Sequence, residues 1–155
     1  RKLVLALKHA DRTDLARPAA SWLKRAVQPL LQPGMLVLPV PLHWSRLLKR
    51  RYNQAALLSS ALAGASGLAH CPDLLIRHRD TKSQEGRDRD DRFRNLAEAF
   101  RLHPRHAAKV LGRHLLIVDD VMTSGATLAA ATEVCRAGAA ASVSVIALAR
   151  VAKGG

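Results

Sequence analysis

The stretch Leu-Leu-Ile-Val-Asp-Asp-Val-Met-Thr-Ser-Gly-Ala-Thr, residues 115–127, decides the fold of this chain. Its four leading apolar residues, Leu115–Val118, predict a short buried strand. Two carboxylates, Asp119 and Asp120, follow at the C-terminal end of that strand. A short loop with hydroxyl groups and a glycine then leads into a helical pattern. Because ligands bind at the carboxyl ends of the strands in open α/β sheets, this order of residues predicts a ligand site.

The residues after this loop complete a strand–helix–strand unit. Leu128–Ala137 has the pattern of a helix, and Gly138 stands where a helix C-cap is expected. Val143–Leu148 is a second apolar and β-branched run, which predicts another strand. Strands joined in this way are parallel, with a right-handed crossover. We therefore predict an α/β fold with a parallel twisted sheet flanked by helices.

The loop before the helix has the chemistry of an anion site. The first N–H groups of a helix lack backbone partners and carry partial positive charge, so they bind phosphate. Thr123, Ser124 and Thr127 add hydroxyl donors, and Gly125 lets the backbone approach a ligand closely. The stretch has neither the lysine of a Walker A loop nor a GxGxxG pattern. It therefore suits one terminal phosphate better than a nucleoside triphosphate or a dinucleotide.

Asp119 and Asp120 would repel a phosphate, but they suit a ligand with hydroxyl groups a few ångströms away from it. A carboxylate accepts hydrogen bonds from two neighbouring hydroxyls, and a ribose 5-phosphate offers that arrangement. Mg²⁺ near these acids, partly bound by ligand oxygens, is also compatible. The alternatives are a helix cap, a solvated loop, or an acidic metal pocket, which would lack its third aspartate. The predicted ribose and 5-phosphate site comprises Asp119, Asp120, Val121, Met122, Thr123, Ser124, Gly125, Ala126 and Thr127.

The first half of the chain predicts two further helices and two further strands. Apolar spacing indicates a helix over about Thr13–Leu31, and a buried strand over Met35–Val40 follows. A second helix is predicted over Asn53–Ala63, closed by glycines, and a short strand over Leu74–Ile76. The expected buried face of the second helix consists of Ala56, Leu57, Ala61 and Leu62.

The segment Arg77–Asn95 is dense in charges of both signs and almost free of apolar residues. It cannot contribute much to a core, so we predict a surface loop or a mobile flap. A plain solvated loop is the alternative, but long loops inside compact domains are often functional lids.

Composition predicts one soluble domain over residues 1–155. We find no transmembrane window and no signal-peptide pattern, and expect a cytoplasmic protein without membrane contact. Cys71 and Cys135 have no partner at metal-ligand or redox spacing, so we interpret both as reduced bystanders. The net charge of +13 favours polyanionic partners, although a generally arginine-rich composition would explain it equally well.

Residues 115–127 resemble the phosphoribosyl-pyrophosphate signature of type I phosphoribosyltransferases: four apolar residues, two acids and a Thr/Ser-Gly-x-Thr loop. A second resemblance covers nearly the whole chain and is carried by Leu3–Lys8, Pro39–His43, Arg46, Arg50–Gln54, Arg77, Arg79, Thr81, Gln84, Arg92, Asn95, Ala99, Phe100, residues 115–127 and Val145–Arg150. In these pieces the chain is similar to the ComF/GntX-like family, which is linked to natural competence.

The resemblance implies a type I phosphoribosyltransferase fold that binds phosphoribosyl pyrophosphate with Mg²⁺. It implies a pyrophosphate-binding loop after an early strand, with basic residues close by, and a flap that closes over the site. The implied catalytic residues are Asp119, Asp120 and Arg46. The implied pyrophosphate-binding residues are Val40, Pro41, Leu42, His43, Arg50 and Arg51, and the flap candidates are Arg79 and Lys82.

The sequence departs from the family in three places. Arg51 stands where a glycine is common, and Ser124 replaces a frequent threonine while keeping its hydroxyl. Members of the family often begin with a cysteine-rich zinc module, and we expect that module to be absent because the sequence has no CxxC pair.

Two functions remain open from sequence. One is transfer of a phosphoribosyl group to or from a nitrogenous base. His43, His78 and His114 are candidates, by chemistry alone, for the general base that would take a proton from the acceptor. The other is a non-catalytic module that senses a nucleotide or acts with single-stranded DNA and competence or recombination proteins. The acceptor and the oligomeric state, including a homo-oligomer, are left open.

Overall fold

The structure, a computed structural model, describes residues 16–43, 47–48, 52–78 and 98–151. These form three α-helices and six strands in an α/β arrangement. The helices are α1 (Ala16–Val27), α2 (Gln54–Ser66) and α3 (Ala126–Ala137). The strands are β1 (Leu36–Pro39), β2 (Ala69–His70), β3 (Leu75–Arg77), β4 (Phe100–Leu102), β5 (His114–Met122) and β6 (Ser142–Arg150), with 3₁₀ turns at Gln28–Leu30 and Ala107–Val110.

Four strands form one parallel sheet in the order β2-β1-β5-β6. The crossover through α3 joins β5 to β6, as the sequence predicts. Strands β3 and β4 form a separate antiparallel hairpin. The predicted parallel sheet flanked by helices is therefore confirmed.

Strand β5 is buried on both faces, which explains its continuous apolar run. Because successive strand side chains point to opposite faces, Leu115 and Ile117 pack on one side with α3 and the hairpin. Leu116 and Val118 pack on the other side with α1 and α2. The sheet thus separates two apolar layers and fixes the end of β5 between them.

The predicted buried face of α2 is wrong except for Leu62. Ala56, Leu57 and Ala61 are only half-buried, whereas Leu58, a residue outside the predicted set, is fully buried. The residues of α2 are apolar on most sides of the helix, so the spacing of apolar residues in the sequence did not identify one buried face. The contacts with α1 and the sheet made that choice.

Element boundaries also differ from the prediction. Helix α1 ends at Val27, before the Pro29 turn, and its predicted start at Thr13 lies outside the described residues. Strand β5 continues to Met122 because its backbone pairs with β6 beyond the apolar run, with Asp119 opposite Ala147.

Asn53 positions the connection between β1 and α2. Its side-chain Oδ1 accepts a hydrogen bond from the Ala55 N–H at 3.0 Å, which caps α2. Its Nδ2 donates to the Val40 carbonyl, also at 3.0 Å. One side chain therefore fixes both the start of the helix and the chain that leaves β1.

Gly138 ends α3 as predicted, but for a packing reason. Its φ is −78°, and the left-handed residue is Ala139, with φ +61°. A Cβ on Gly138 would lie 2.6 Å from Leu102 Cδ1 and 3.2 Å from Val110 Cγ1. The hairpin therefore packs against the end of α3 where a side chain would not fit.

The predicted flap falls largely outside the described residues. Arg77 ends β3 with its guanidinium 5.5 Å from the centre of the Phe100 ring on β4, and His78 is exposed. Within the part of the chain that the structure covers, no helix has the length and apolarity to cross a membrane.

We predict that Gly138→Ala lowers the free energy of unfolding by about 1–3 kcal/mol, because the added methyl crowds Leu102 and Val110. Gly64→Ala is the matched control, since a Cβ there meets nothing within 4 Å and the residue is inside α2. That change should raise the free energy of unfolding by about 0.5–1 kcal/mol, because alanine has a higher helix propensity than glycine. Urea unfolding measures both, and two variants of equal stability would contradict the packing explanation.

We also predict that Asn53→Ala costs about 1–3 kcal/mol, because the helix cap and the bond to Val40 are both lost. Asn53→Asp keeps the cap acceptor and removes only the amide donor, so it should cost about 1 kcal/mol. Urea unfolding of the two variants separates the contributions. Equal losses would show that the cap contributes nothing.

Candidate functional site

Two loops meet at one edge of the sheet because β1 and β5 are parallel neighbours. Pro39 is paired with Val118, and the Val40 N–H donates to the Val118 carbonyl at 2.9 Å. The chain that leaves β1 therefore lies beside the last part of β5, which continues to Met122. This is the edge at which open α/β sheets bind ligands.

The start of α3, predicted from sequence as an anion site, lies at this edge. Gly125 is the N-cap residue, with φ +80°, a left-handed conformation that favours glycine. Gly125 has no side chain with which to cap the helix, and the first turn holds no acidic residue. Ser124 Oγ accepts from the Ala126 N–H at 3.3 Å, while Thr123 and Ser124 are exposed and Thr127 is half-buried. The remaining N–H groups of the first turn and these hydroxyls suit a phosphate.

Asp119 and Asp120 lie at the same edge, within the last part of β5. Both are half-buried, and each carboxylate accepts from the next backbone N–H at 2.8 Å. Because β5 is extended here, their side chains leave opposite faces of the sheet. Asp119 continues the α3 side, and Asp120 the side of α1 and α2. A ligand that contacts both must lie across the end of β5.

The last described residue is tied to this loop. The Val151 N–H donates to the Met122 carbonyl at 3.0 Å, so the end of β6 stays beside the end of β5. Met122 Sδ packs toward Gly125, where a Cβ would lie 3.6 Å from the sulfur. Met122 therefore supports the turn into α3, and Val121 precedes it in the ladder.

The loop proposed for pyrophosphate is mostly buried. Val40, Pro41 and His43 are buried and Leu42 is half-buried. The His43 carbonyl accepts from the Leu47 N–H at 3.0 Å. Because side chains here are packed inward, the loop would meet a ligand chiefly through its backbone. The basic candidates Arg46, Arg50, Arg51, Arg79 and Lys82 lie outside the described residues.

The three histidines considered as a general base for the acceptor lie in different parts of the structure. His114 begins β5 and its Nδ1 is 2.7 Å from Ser142 Oγ, so it lies at the opposite end of the strand from Asp119. The two residues are five positions apart along the strand, about 16 Å. His114 is therefore remote from the acids. His78 follows the hairpin strand β3, and only His43 lies on a loop at the ligand edge.

The cysteines differ more than the sequence indicated. Both are free and buried, and burial raises the pKa of the Cys135 thiol to about 12, so that thiol is inert. Cys71 is not isolated, because Asp73 and His106 lie beside it. The sequence analysis missed this group because the hairpin brings His106 back across 35 positions of sequence. The only sequence signals were the Cys-Pro-Asp triplet and the His103/His106 pair.

Comparison with known proteins agrees with this architecture. Residues 65–155, more than half of the chain, match the family described as phosphoribosyl transferase domain. The chain resembles the regulatory enzyme of purine biosynthesis described as allosteric, with a TM-score of 0.60 at 16% identity over 94% of this chain and 30% of that one. Glutamine phosphoribosylpyrophosphate amidotransferase from B. subtilis gives a TM-score of 0.59 at 14% identity, with the same coverage. At these identities the likeness concerns the fold.

Relatives at higher identity carry names from DNA metabolism. The DNA utilization protein YhgH of Salmonella typhimurium is 36% identical over 153 residues, which are 96% of this chain and 66% of that protein. Competence protein F of Haemophilus influenzae is 34% identical over 129 residues, 83% of this chain and 49% of that protein. The chain thus spans about two thirds of the length of its YhgH relatives. The parallel sheet, whose central strand carries two acids shortly before a helix start, agrees with these comparisons. The chain belongs to the phosphoribosyl transferase domain family and groups with its ComF-like competence proteins.

Proposed function

We propose that this chain binds phosphoribosyl pyrophosphate, or a nucleotide with a ribose 5-phosphate, together with Mg²⁺. The ligand lies at the sheet edge where β1 and β5 end, and the activity is of the phosphoribosyltransferase type in the service of DNA uptake or utilization. One observation carries the proposal: two carboxylates stand in the last part of the central strand, a few residues before a helix start whose N-cap residue is a glycine.

The helix start serves the phosphate end of the ligand. The N–H groups of its first turn would donate to phosphate oxygens, and the left-handed Gly125 exposes the backbone to them. Thr123, Ser124 and Thr127 add hydroxyl donors. With no lysine in this loop, its capacity suits a monophosphate.

The two aspartates serve the sugar. Asp119 would approach it from the α3 side and Asp120 from the side of α1 and α2, so a furanose lying across the strand end meets both. A carboxylate accepts from hydroxyl groups with charge-assisted strength, which fits the 2- and 3-hydroxyls of ribose. In this arrangement the 5-phosphate would lie on the helix start and carbon 1 would face the Val40–His43 loop.

The donor set also fits Mg²⁺. Carboxylate oxygens of Asp119 and Asp120 and the oxygens of pyrophosphate are the hard ligands that this ion takes. Mg²⁺ would supply charge neutralisation for the departing pyrophosphate. Carboxylates that hold the ribose hydroxyls are placed to share such an ion with the ligand.

The chain itself would stabilise the leaving group. As the bond from carbon 1 to the pyrophosphate oxygen breaks, its electron pair leaves with pyrophosphate. The backbone N–H groups of Leu42 and His43 and the basic candidates Arg46, Arg50, Arg51, Arg79 and Lys82 would offset that charge. The base that accepts or donates the phosphoribosyl group bonds through nitrogen to the same carbon.

A second function is favoured by the net charge of +13 and by relatives named for DNA utilization and competence. In it the pocket senses a nucleotide without catalysis, and basic side chains bind single-stranded DNA or present it to competence and recombination proteins. Both functions use the same pocket, because the fold alone does not determine whether a bound nucleotide reacts or is only sensed.

We predict that Asp119→Asn together with Asp120→Asn weakens binding of phosphoribosyl pyrophosphate in the presence of Mg²⁺ by roughly 100-fold or more, because charge-assisted hydrogen bonds are lost at both carboxylates. Isothermal titration calorimetry measures the affinity, and circular dichroism checks the fold. Glu133→Gln, an exposed acid on α3, is the control for a change of charge. Unchanged affinity in the aspartate variants would refute the ribose assignment.

For the second function, we predict that single-stranded DNA binds in low salt and that its affinity falls with a log–log slope of about −0.7 per phosphate contacted. Fluorescence anisotropy over a series of salt concentrations measures the slope. The double aspartate variant should bind DNA at least as well as the parent chain, since it removes negative charge. Absence of binding at low salt would eliminate this function.

A further inference from the structure

We propose that Cys71, Asp73 and His106 form a Zn²⁺ site at the base of the β3–β4 hairpin, separate from the strand-end pocket. One ligand atom from each residue lies within 4.8 Å of the other two. Cys71 is buried, His106 is half-buried and Asp73 is exposed, so the cluster opens to solvent on its Asp73 side. The proposal does not depend on the function proposed above.

The spacing of the side-chain atoms is already near that of a coordinated metal. Asp73 bridges the other two, with Oδ1 3.7 Å from Cys71 Sγ and Oδ2 3.0 Å from His106 Nε2. Neighbouring ligands of a tetrahedral zinc ion lie about 3.3–3.6 Å apart, given the usual zinc–sulfur and zinc–nitrogen bond lengths. The two distances lie on either side of that range, and the third, between the Cys71 sulfur and the His106 ring, is at most 4.8 Å. Side-chain rotations would therefore be needed to complete the geometry.

The backbone holds the ligands from both ends of the hairpin. The Cys71 N–H donates to the Val37 carbonyl at 3.0 Å, which anchors the residue to β1 of the main sheet. The His103 N–H donates to the Leu74 carbonyl at 2.8 Å and the His106 N–H to the His103 carbonyl at 2.9 Å. The ligands therefore come from segments that are fixed before any metal binds.

Only the Nε2 atom of His106 is positioned to coordinate the metal ion. Its Nδ1 is buried and has no hydrogen-bond partner among the described residues, whereas Nε2 faces Asp73. Coordination through Nε2 requires the neutral imidazole with its proton on Nδ1. The same Nε2 is the atom that the distances place in the cluster.

The donor set selects the kind of metal. A thiolate, an imidazole and a carboxylate are ligands of zinc and similar transition ions, while Mg²⁺ takes oxygen. Three protein ligands leave the fourth position for water on the open side. On binding, the Cys71 thiol loses its proton to solvent and the sulfur electron pair bonds to the ion.

Lys109 opposes the ion. Its Nζ is 4.0 Å from Cys71 Sγ, so an ammonium charge lies beside the position that the metal would take. Lys109 is exposed and can swing into solvent. The site should therefore bind zinc more weakly than its ligands alone allow, and removal of this amine should strengthen binding.

The test is titration of the reduced full chain with Co²⁺ and with Zn²⁺. We expect one Co²⁺ per chain with a thiolate charge-transfer band and tetrahedral d–d bands, both displaced by Zn²⁺ and unaffected by excess Mg²⁺. Cys71→Ser should abolish the charge-transfer band and weaken Zn²⁺ binding roughly 100-fold or more. Cys135→Ser is the matched control, since it removes the other buried thiol and should leave both signals unchanged.

Two further variants complete the test. Asp73→Asn changes an exposed residue, so the fold should persist while Zn²⁺ affinity falls at least tenfold. Lys109→Ala should raise the affinity about fivefold, the effect of one unit charge at this distance in water. Zn²⁺ binding that is equal in the parent chain and in a folded Cys71→Ser variant would overturn the proposal, since it would place the ion on other histidines. So would the absence of a thiolate band with Co²⁺.

Discussion

The structure depends on β5 being paired on both sides and buried on both faces. Its hydrogen bonds to β1 and β6 satisfy the backbone, and its alternating side chains join two apolar layers. A strand with this environment has to be apolar while it crosses the core. Where the two layers end, the strand continues as Asp119 and Asp120. The site thus lies where the pairing of β5 with β6 continues beyond the buried core.

The same constraint separates the roles of the two carboxylates. An extended backbone sends neighbouring side chains to opposite faces, so Asp119 and Asp120 border different layers of the protein. In the function proposed above, a sugar ring that lies across the strand end would contact both, and its phosphate would contact the start of α3. Asn53 and Met122 position the surrounding loops through hydrogen bonds and packing, without providing the charges themselves.

The hairpin adds a second chemical centre to the domain. It packs against the end of α3 at Gly138, and its two ends bring together the thiol of Cys71, the Asp73 carboxylate and the His106 imidazole. Cys71 follows β2, the outer strand of the sheet, whereas the phosphate loop follows β5. The hairpin group combines sulfur, nitrogen and oxygen donors, whereas Asp119 and Asp120 offer oxygen alone.

The sequence determined the strand–loop–helix unit at residues 115–127, the parallel sheet and the place of the acids, because a doubly buried strand and a helix start are encoded locally. Of the two glycines predicted to close α2 after Ala63, Gly67 does so with a φ of +66°, whereas Gly64 lies inside the helix, which runs to Ser66. Only the tertiary structure decided which face of α2 is buried, since that helix is apolar nearly all around. Only it joined His106 to Cys71, and only it sent Asp119 and Asp120 to opposite faces. Contacts between distant segments and the length of a paired strand depend on the neighbouring elements, and a local pattern does not contain them.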